Sequence, residues 1–149
     1  MARLVSLQIQ TPQIRFIGLS PTDLKKLFVT HPSFSDAYVV AEAYEITQLA
    51  DWAAPIFQHV VLNSNFGYLE RFRKVFPTTI AFYQELVSRF RAEAPQLQRQ
   101  PHYASFQKIL ELCSDKIFVY RLSKEFKMPE LAEKITTQFP GVEELVSEN

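Results

Sequence analysis

The side chains able to bind metals or carry nucleophilic or acid–base chemistry are few in this sequence. His31, His59 and His102 lie far apart, and none has a Cys, His or carboxylate at ligand spacing on its own helix face. A metal site needs several convergent ligands, so each histidine reads as a capping or surface residue. Cys113 stands one turn from Ile109 and Ile117, with no positive group placed to favour its thiolate, and reads as a buried, inert thiol. Glu42 and Glu45 are three apart on one helical strip. A catalytic carboxylate pair needs an enclosing pocket that separates the two pKa values, and a solvated strip accounts for both residues without one. The serines and threonines sit mostly at helix starts, where their hydroxyls cap free N–H groups. No GxSxG, HExxH or glycine-rich phosphate loop occurs. The sequence therefore assigns no catalytic residue, no metal ligand and no cofactor-binding residue.

One basic cluster stands out. Arg71, Arg73 and Lys74 are followed by Arg89 and Arg91, interleaved with Phe72, Phe76 and Phe90. Charge mixed with aromatic rings suits single-stranded nucleic acid. The phenylalanines, however, fall at core spacing and leave only a basic face on one helix pair. That face is a candidate partner-binding surface, with an acidic protein as the expected ligand and RNA as the alternative.

These residues must be positioned by helices. The most apolar segment is HPSFSDAYVVAEAYEI, residues 31–46. Read as a helix from Asp36 to Thr47, it has Glu42, Glu45 and the Tyr38 hydroxyl on one strip and apolar or small residues elsewhere. An apolar arc wider than half the circumference means enclosure by several neighbours. Asp51-Trp52 then opens a partner helix running to about Asn63, in which Trp52, Ile56 and Val60 recur at spacing four. The expected core is Val40, Ala41, Tyr44, Trp52, Ile56 and Val60, with Val40, Ala43 and Tyr44 facing the Trp52 stripe.

Before this pair, Ala2–Gln10 reads as a short helix ending near Thr11-Pro12. Ser20-Pro21-Thr22-Asp23 is a strong start for the next one, with a cap hydroxyl, proline at the first helical position and an acid three residues on. After it come helices over Phe66–Phe76 and Thr79–Ala94, the latter with Phe82, Leu86 and Phe90 inward. The polar connector PQLQRQP, residues 95–101, reads as an exposed loop. Stripes over His102–Ser114 (Phe106, Ile109, Leu110, Cys113) and Asp115–Lys127 (Phe118, Leu122, Phe126) leave open whether a turn parts them at Ser114-Asp115. A last helix starts at Pro129-Glu130 and reaches about Gln138. Residues 142–149 read as a frayed acidic tail.

The 149 residues are 47% hydrophobic and 21% charged, in the ordinary range for a globular protein. Sixteen basic and sixteen acidic residues cancel, so no global field draws the chain to nucleic acid or an acidic membrane. Three glycines are too few for a fold of many tight hairpins. A lone cysteine excludes an internal disulfide and suits a reducing compartment. No stretch approaches the roughly 20 apolar residues of a membrane span, and no signal peptide is evident. The expectation is a soluble cytoplasmic protein. Its fold class is all-α, a solenoid-like array of antiparallel helix pairs, with residues 1–149 as a single helical domain.

HPSFSDAYVVAEAYEI, then Asp51-Trp52, then VVLNSNFGYLERF (residues 60–72) resembles the C-terminal region of the spatacsin family. The likeness runs from about Arg3 to Phe126 and is densest between His31 and Phe72. Spatacsins are many times longer, so the chain reads as a fragment or cut-down relative of a longer solenoid. The resemblance implies a non-enzymatic α-solenoid scaffold for protein–protein interaction. Its implied partners are spastizin and the fifth adaptor-protein complex. The implied setting is the cytoplasmic face of late endosomes and lysosomes, in membrane trafficking, autophagy and lysosome re-formation.

Overall fold

Ser20 accepts a hydrogen bond from the Asp23 N–H at 3.2 Å, and Pro21 follows at the first helical position. The same local chemistry starts three more helices. Ser33, Asn65 and Asp115 accept from the N–H groups of Asp36, Tyr68 and Phe118, each satisfying a donor that the helix itself cannot. A computed structural model describes residues 2–147, and among them every regular element is helical. The α-helices are α1 (Ala2–Gln10), α2 (Pro21–Thr30), α3 (Phe34–Ala43), α4 (Ala53–Ile56), α5 (Phe66–Val75), α6 (Ile80–Glu93), α7 (Ala104–Leu110), α8 (Lys116–Glu125), α9 (Pro129–Gln138) and α10 (Val142–Ser147). The chain divides into two compact units, Met1–Leu97 and Gln98–Asn149, and the division falls inside the polar connector 95–101.

In the first unit, α3 is shorter than its apolar pattern suggests and starts earlier. Ser33 caps it, and it stops at Ala43 because Glu45 takes a left-handed conformation, φ +59°. The Ile46 N–H then reaches the Ala41 carbonyl at 2.8 Å and the Glu45 N–H reaches Glu42 at 3.3 Å. This paired closure satisfies carbonyls that would otherwise end unpaired. The Tyr44 hydroxyl donates to the Phe16 carbonyl at 2.6 Å, anchoring that end to the segment after α1.

The buried side of α3 serves two groups of neighbours. Val40 joins Leu4, Leu7 and Phe16, with Ala43 and half-buried Tyr44 packed against them. Gln8 fixes this corner, donating to the Ile14 carbonyl and accepting from the Phe16 N–H, both at 2.7 Å. Trp52 instead meets α3 through Phe34, at 5.2 Å between ring centroids. Its other ring neighbours are Phe28 at 4.7 Å, Phe76 at 5.4 Å and Phe72 at 5.8 Å. Val40, Ala43 and Tyr44, expected to face the Trp52 stripe, thus pack at the α1 corner, and the ring of α3 that stands beside Trp52 is Phe34, one turn before Tyr38.

The partner helix is continuous but irregular. Leu49–Trp52 is a 3-10 turn, α4 follows, and Phe57–Leu62 widens into a π turn. Pro55 has no N–H for the Asp51 carbonyl, which fits a tightened turn immediately before it. Trp52, Ile56 and Val60 are all buried, as are Ala41 and Val40.

In the second unit, α8, α9 and α10 pack together around Val119, Leu122, Phe126, Leu131, Ile135 and Val142. A turn does separate α7 from α8, with Asp115 capping the second helix. Leu122 and Phe126 of the expected α8 stripe are buried, Val119 and Tyr120 join them, and Phe118 is only partly buried. Residues 142–147, expected to fray, form α10 with Val142 buried; residues 148 and 149 lie outside the described region. Residues 95–101 are largely exposed, yet they contain helical turns at Ala94–Gln96 and from Arg99. The Arg99 guanidinium stacks over Tyr103 at 4.4 Å and donates to the carbonyls of Phe126 and Lys127, each at 3.0 Å. It thereby covers the exposed carbonyl end of α8.

Candidate interaction surface

A groove of about 460 Å³ opens in the first unit between α2, the 3-10 turn before α4, and α6. Its position follows from three local events. The Ser20 cap sets α2 so that Leu24 and Phe28 face inward. The left-handed Glu45 turns Ile46 away from α3, and the 3-10 turn brings in Ala50 with Ala54 behind it. Phe28 and Ala54 are buried, while Leu24, Val29, Ile46 and Ala50 are partly accessible and form the floor. The rim is charged and exposed: Lys25 from α2, Asp51 from the turn, Glu85 and Arg89 from α6. An apolar centre with a polar rim is the usual anatomy of a protein–protein contact surface.

The five basic residues singled out in the sequence are all exposed but do not share one face. With about 100° per residue, Arg71 and Arg73 flank opposite edges of the buried Tyr68–Leu69–Phe72 stripe of α5, and Lys74 points outward. Arg89 and Arg91 likewise straddle the stripe of α6. Only Arg89 lines the groove. The RNA alternative needs a continuous basic, aromatic surface, and the helix geometry separates its members.

The carboxylate strip is equally divided. Glu42 pairs with Arg3 at 2.6 Å on the surface, and Glu45 is the exposed residue that terminates α3. The histidines differ among themselves. His31 ends α2, where its N–H donates to the Leu27 carbonyl, Nδ1 accepts from the Ser33 N–H at 3.1 Å, and Nε2 lies 3.5 Å from the Asp36 carboxylate. His102 Nδ1 accepts from the Gln98 N–H at 3.0 Å. His59 is a core residue, which the sequence reading missed. It lies on the π turn, 5% exposed, with its ring stacked on Tyr68 at 4.5 Å.

Among the described residues, neither His59 Nε2 nor the Tyr68 hydroxyl finds a hydrogen-bond partner. Burial pushes His59 below the usual histidine range; the carbonyl of Val29 opposes this and neighbouring His31 adds to it. Burial likewise pushes the Tyr68 phenol upward. The signal available in the sequence was position: His59 falls between Phe57 and Val60 on the buried side of a helix whose other face is Gln58 and Leu62. Cys113 is buried, and burial pushes its thiol up. Among the described residues, no group of three or more His, Cys, Asp or Glu is placed to hold a metal ion. No helix there is long and apolar enough to cross a membrane.

Among the described residues every regular element is thus helical, and the first unit carries one apolar, charge-rimmed groove. Residues 1–92 match the family described as the spatacsin C-terminus, and the chain belongs to that family. Its match to mouse spatacsin is 27% identical over 135 residues, covering 88% of this chain and 5% of that protein. A Dictyostelium discoideum protein is 29% identical over 125 residues, covering 84% of this chain and 3% of its own length. The chain thus spans only a small fraction of the relatives it matches. No solved structure matches it. The groove residues all lie between Pro21 and Arg89, inside the family region.

Proposed function

We propose that the chain is a non-enzymatic protein-interaction module of a spatacsin-like trafficking scaffold. In this reading it acts at late endosomes and lysosomes, in membrane trafficking and lysosome re-formation, with spastizin and the fifth adaptor-protein complex as its partners. The observation that carries the reading is the family match across residues 1–92. The groove supports it, since every groove residue falls within that stretch and its chemistry suits protein contact.

The test uses the purified chain with purified spastizin and purified fifth adaptor-protein complex, measured by biolayer interferometry at low and high salt. Saturable binding to one of them that survives high salt supports the reading, because apolar interfaces resist salt whereas phosphate contacts do not. Absence of binding to both, together with steeply salt-sensitive binding to generic RNA, would overturn it.

A further inference from the structure

The groove between α2, the 3-10 turn and α6 has a floor and a rim that together specify what it can hold. Leu24, Ile46 and Ala50 are only partly buried by the rest of the chain, so apolar surface remains to be covered. None of the four rim charges makes a hydrogen bond or ion pair within the described residues, although Glu85 and Arg89 stand one turn apart on α6. Two cations and two anions around one opening disfavour a ligand of single sign, such as a phosphate backbone or an acidic membrane.

Backbone geometry narrows the choice further. The groove walls are helical, with their main-chain groups used internally, so an added strand would find no ladder to join. Binding must come from side chains set into the floor, which is how a helix is held in a groove. Ala50 and Ala54 are small and four residues apart, letting a visiting helix approach closely.

We propose that this groove docks an amphipathic helix of a partner protein. The helix presents two large apolar side chains one turn apart to Leu24, Phe28 and Ile46. Beside them it carries an acidic residue for Lys25 or Arg89 and a basic residue for Asp51 or Glu85. This identifies the site and partner chemistry of the interaction module proposed above, and it rests on that reading.

The experiment selects a display library of random peptides, each about four helical turns long, on the full chain. Two variants are the controls: Ala50→Arg, which fills the groove, and the charge-reversed Glu85→Arg/Arg89→Glu, which alters only exposed positions. Enriched peptides should carry two apolar residues three or four apart with charges of both signs beside them. Their affinity should fall about tenfold or more on either variant, and reversing only the peptide charges that meet α6 should restore binding to the reversed protein. If Ala50→Arg does not fold, the reversal and its rescue decide alone. Peptides that bind all versions equally would refute the groove while leaving the interaction module standing. Peptide charges of one sign only would refute the charge complementarity. Self-association abolished by the same variants would replace the partner helix with a second copy. No enriched peptide at all would refute the groove as a helix-docking site, while the module stands or falls on its own binding test.

Discussion

Replacing Trp52 by alanine removes the side chain around which four aromatic rings of the first unit are gathered. Trp52 is 1% exposed, and Phe28, Phe34, Phe72 and Phe76 have their centroids within 6 Å of its own. A tryptophan buries about 150–250 Å², and at about 25 cal/mol per Å² its transfer alone contributes roughly 4–6 kcal/mol. Alanine retains part of that area, while the cavity left among rigid rings adds a cost. The two corrections bring the expectation to about 3–5 kcal/mol, as for other large aromatic truncations. Against a total of about 5–15 kcal/mol for a domain, this is a large share. With about 4–8 °C per kcal/mol for a unit of this size, the melting temperature should fall by at least about 12 °C. Urea unfolding followed by far-ultraviolet circular dichroism measures the change, since the variant has lost the chain's one tryptophan. Ile9→Ala is the control: Ile9 is 74% exposed, and such surface changes usually stay within about 0.5 kcal/mol. A Trp52→Ala variant no less stable than Ile9→Ala would refute the packing argument.

The buried His59 makes the first unit sensitive to acid. Its folded pKa lies below that of the unfolded chain, so the unfolded state binds the proton first and stability falls as pH drops below about 6.5. The slope from this one group is at most about 1.4 kcal/mol per pH unit. His59→Phe should flatten the stability profile between about pH 7 and pH 5, and an unchanged slope would show that other groups control it. Cys113 should react slowly with a thiol reagent in the native protein and fast after denaturation, because it is buried and its thiolate is disfavoured; equal rates would place it on the surface. Lys127 ends α8 at φ +54°, a region costly for branched side chains. Lys127→Val should therefore destabilise by about 1 kcal/mol or more, while Lys127→Gly should leave the melting temperature unchanged or higher. Equal melts for the two variants would show that the backbone there is relaxed.

Much of the helical architecture is readable along the chain because it depends on local chemistry. Ser20-Pro21 starts a helix through a hydroxyl and a missing N–H that lie within three residues of each other. The recurrence of Trp52, Ile56 and Val60 every fourth position marks one buried stripe, whatever lies opposite. The family is legible for the same reason, since the residues around Tyr38–Tyr44 and Asp51-Trp52 are contiguous. The opposing surfaces were not legible. Periodicity shows that a face is covered but carries no information about which helix covers it, so neither the packing of Val40 against Leu4 and Leu7 nor the Phe34 ring beside Trp52 could be read from it. The end of α3 at Glu45 was hidden because glutamate suits a helix interior. The left-handed turn there goes with the Tyr44–Phe16 contact, made between residues 28 apart. His59 and Tyr68 become a buried stack, and Lys25, Asp51, Glu85 and Arg89 become one rim, only when distant helices meet. Local propensity set the pieces; packing decided which side chains share a surface, because burial is a property of neighbours far away in sequence.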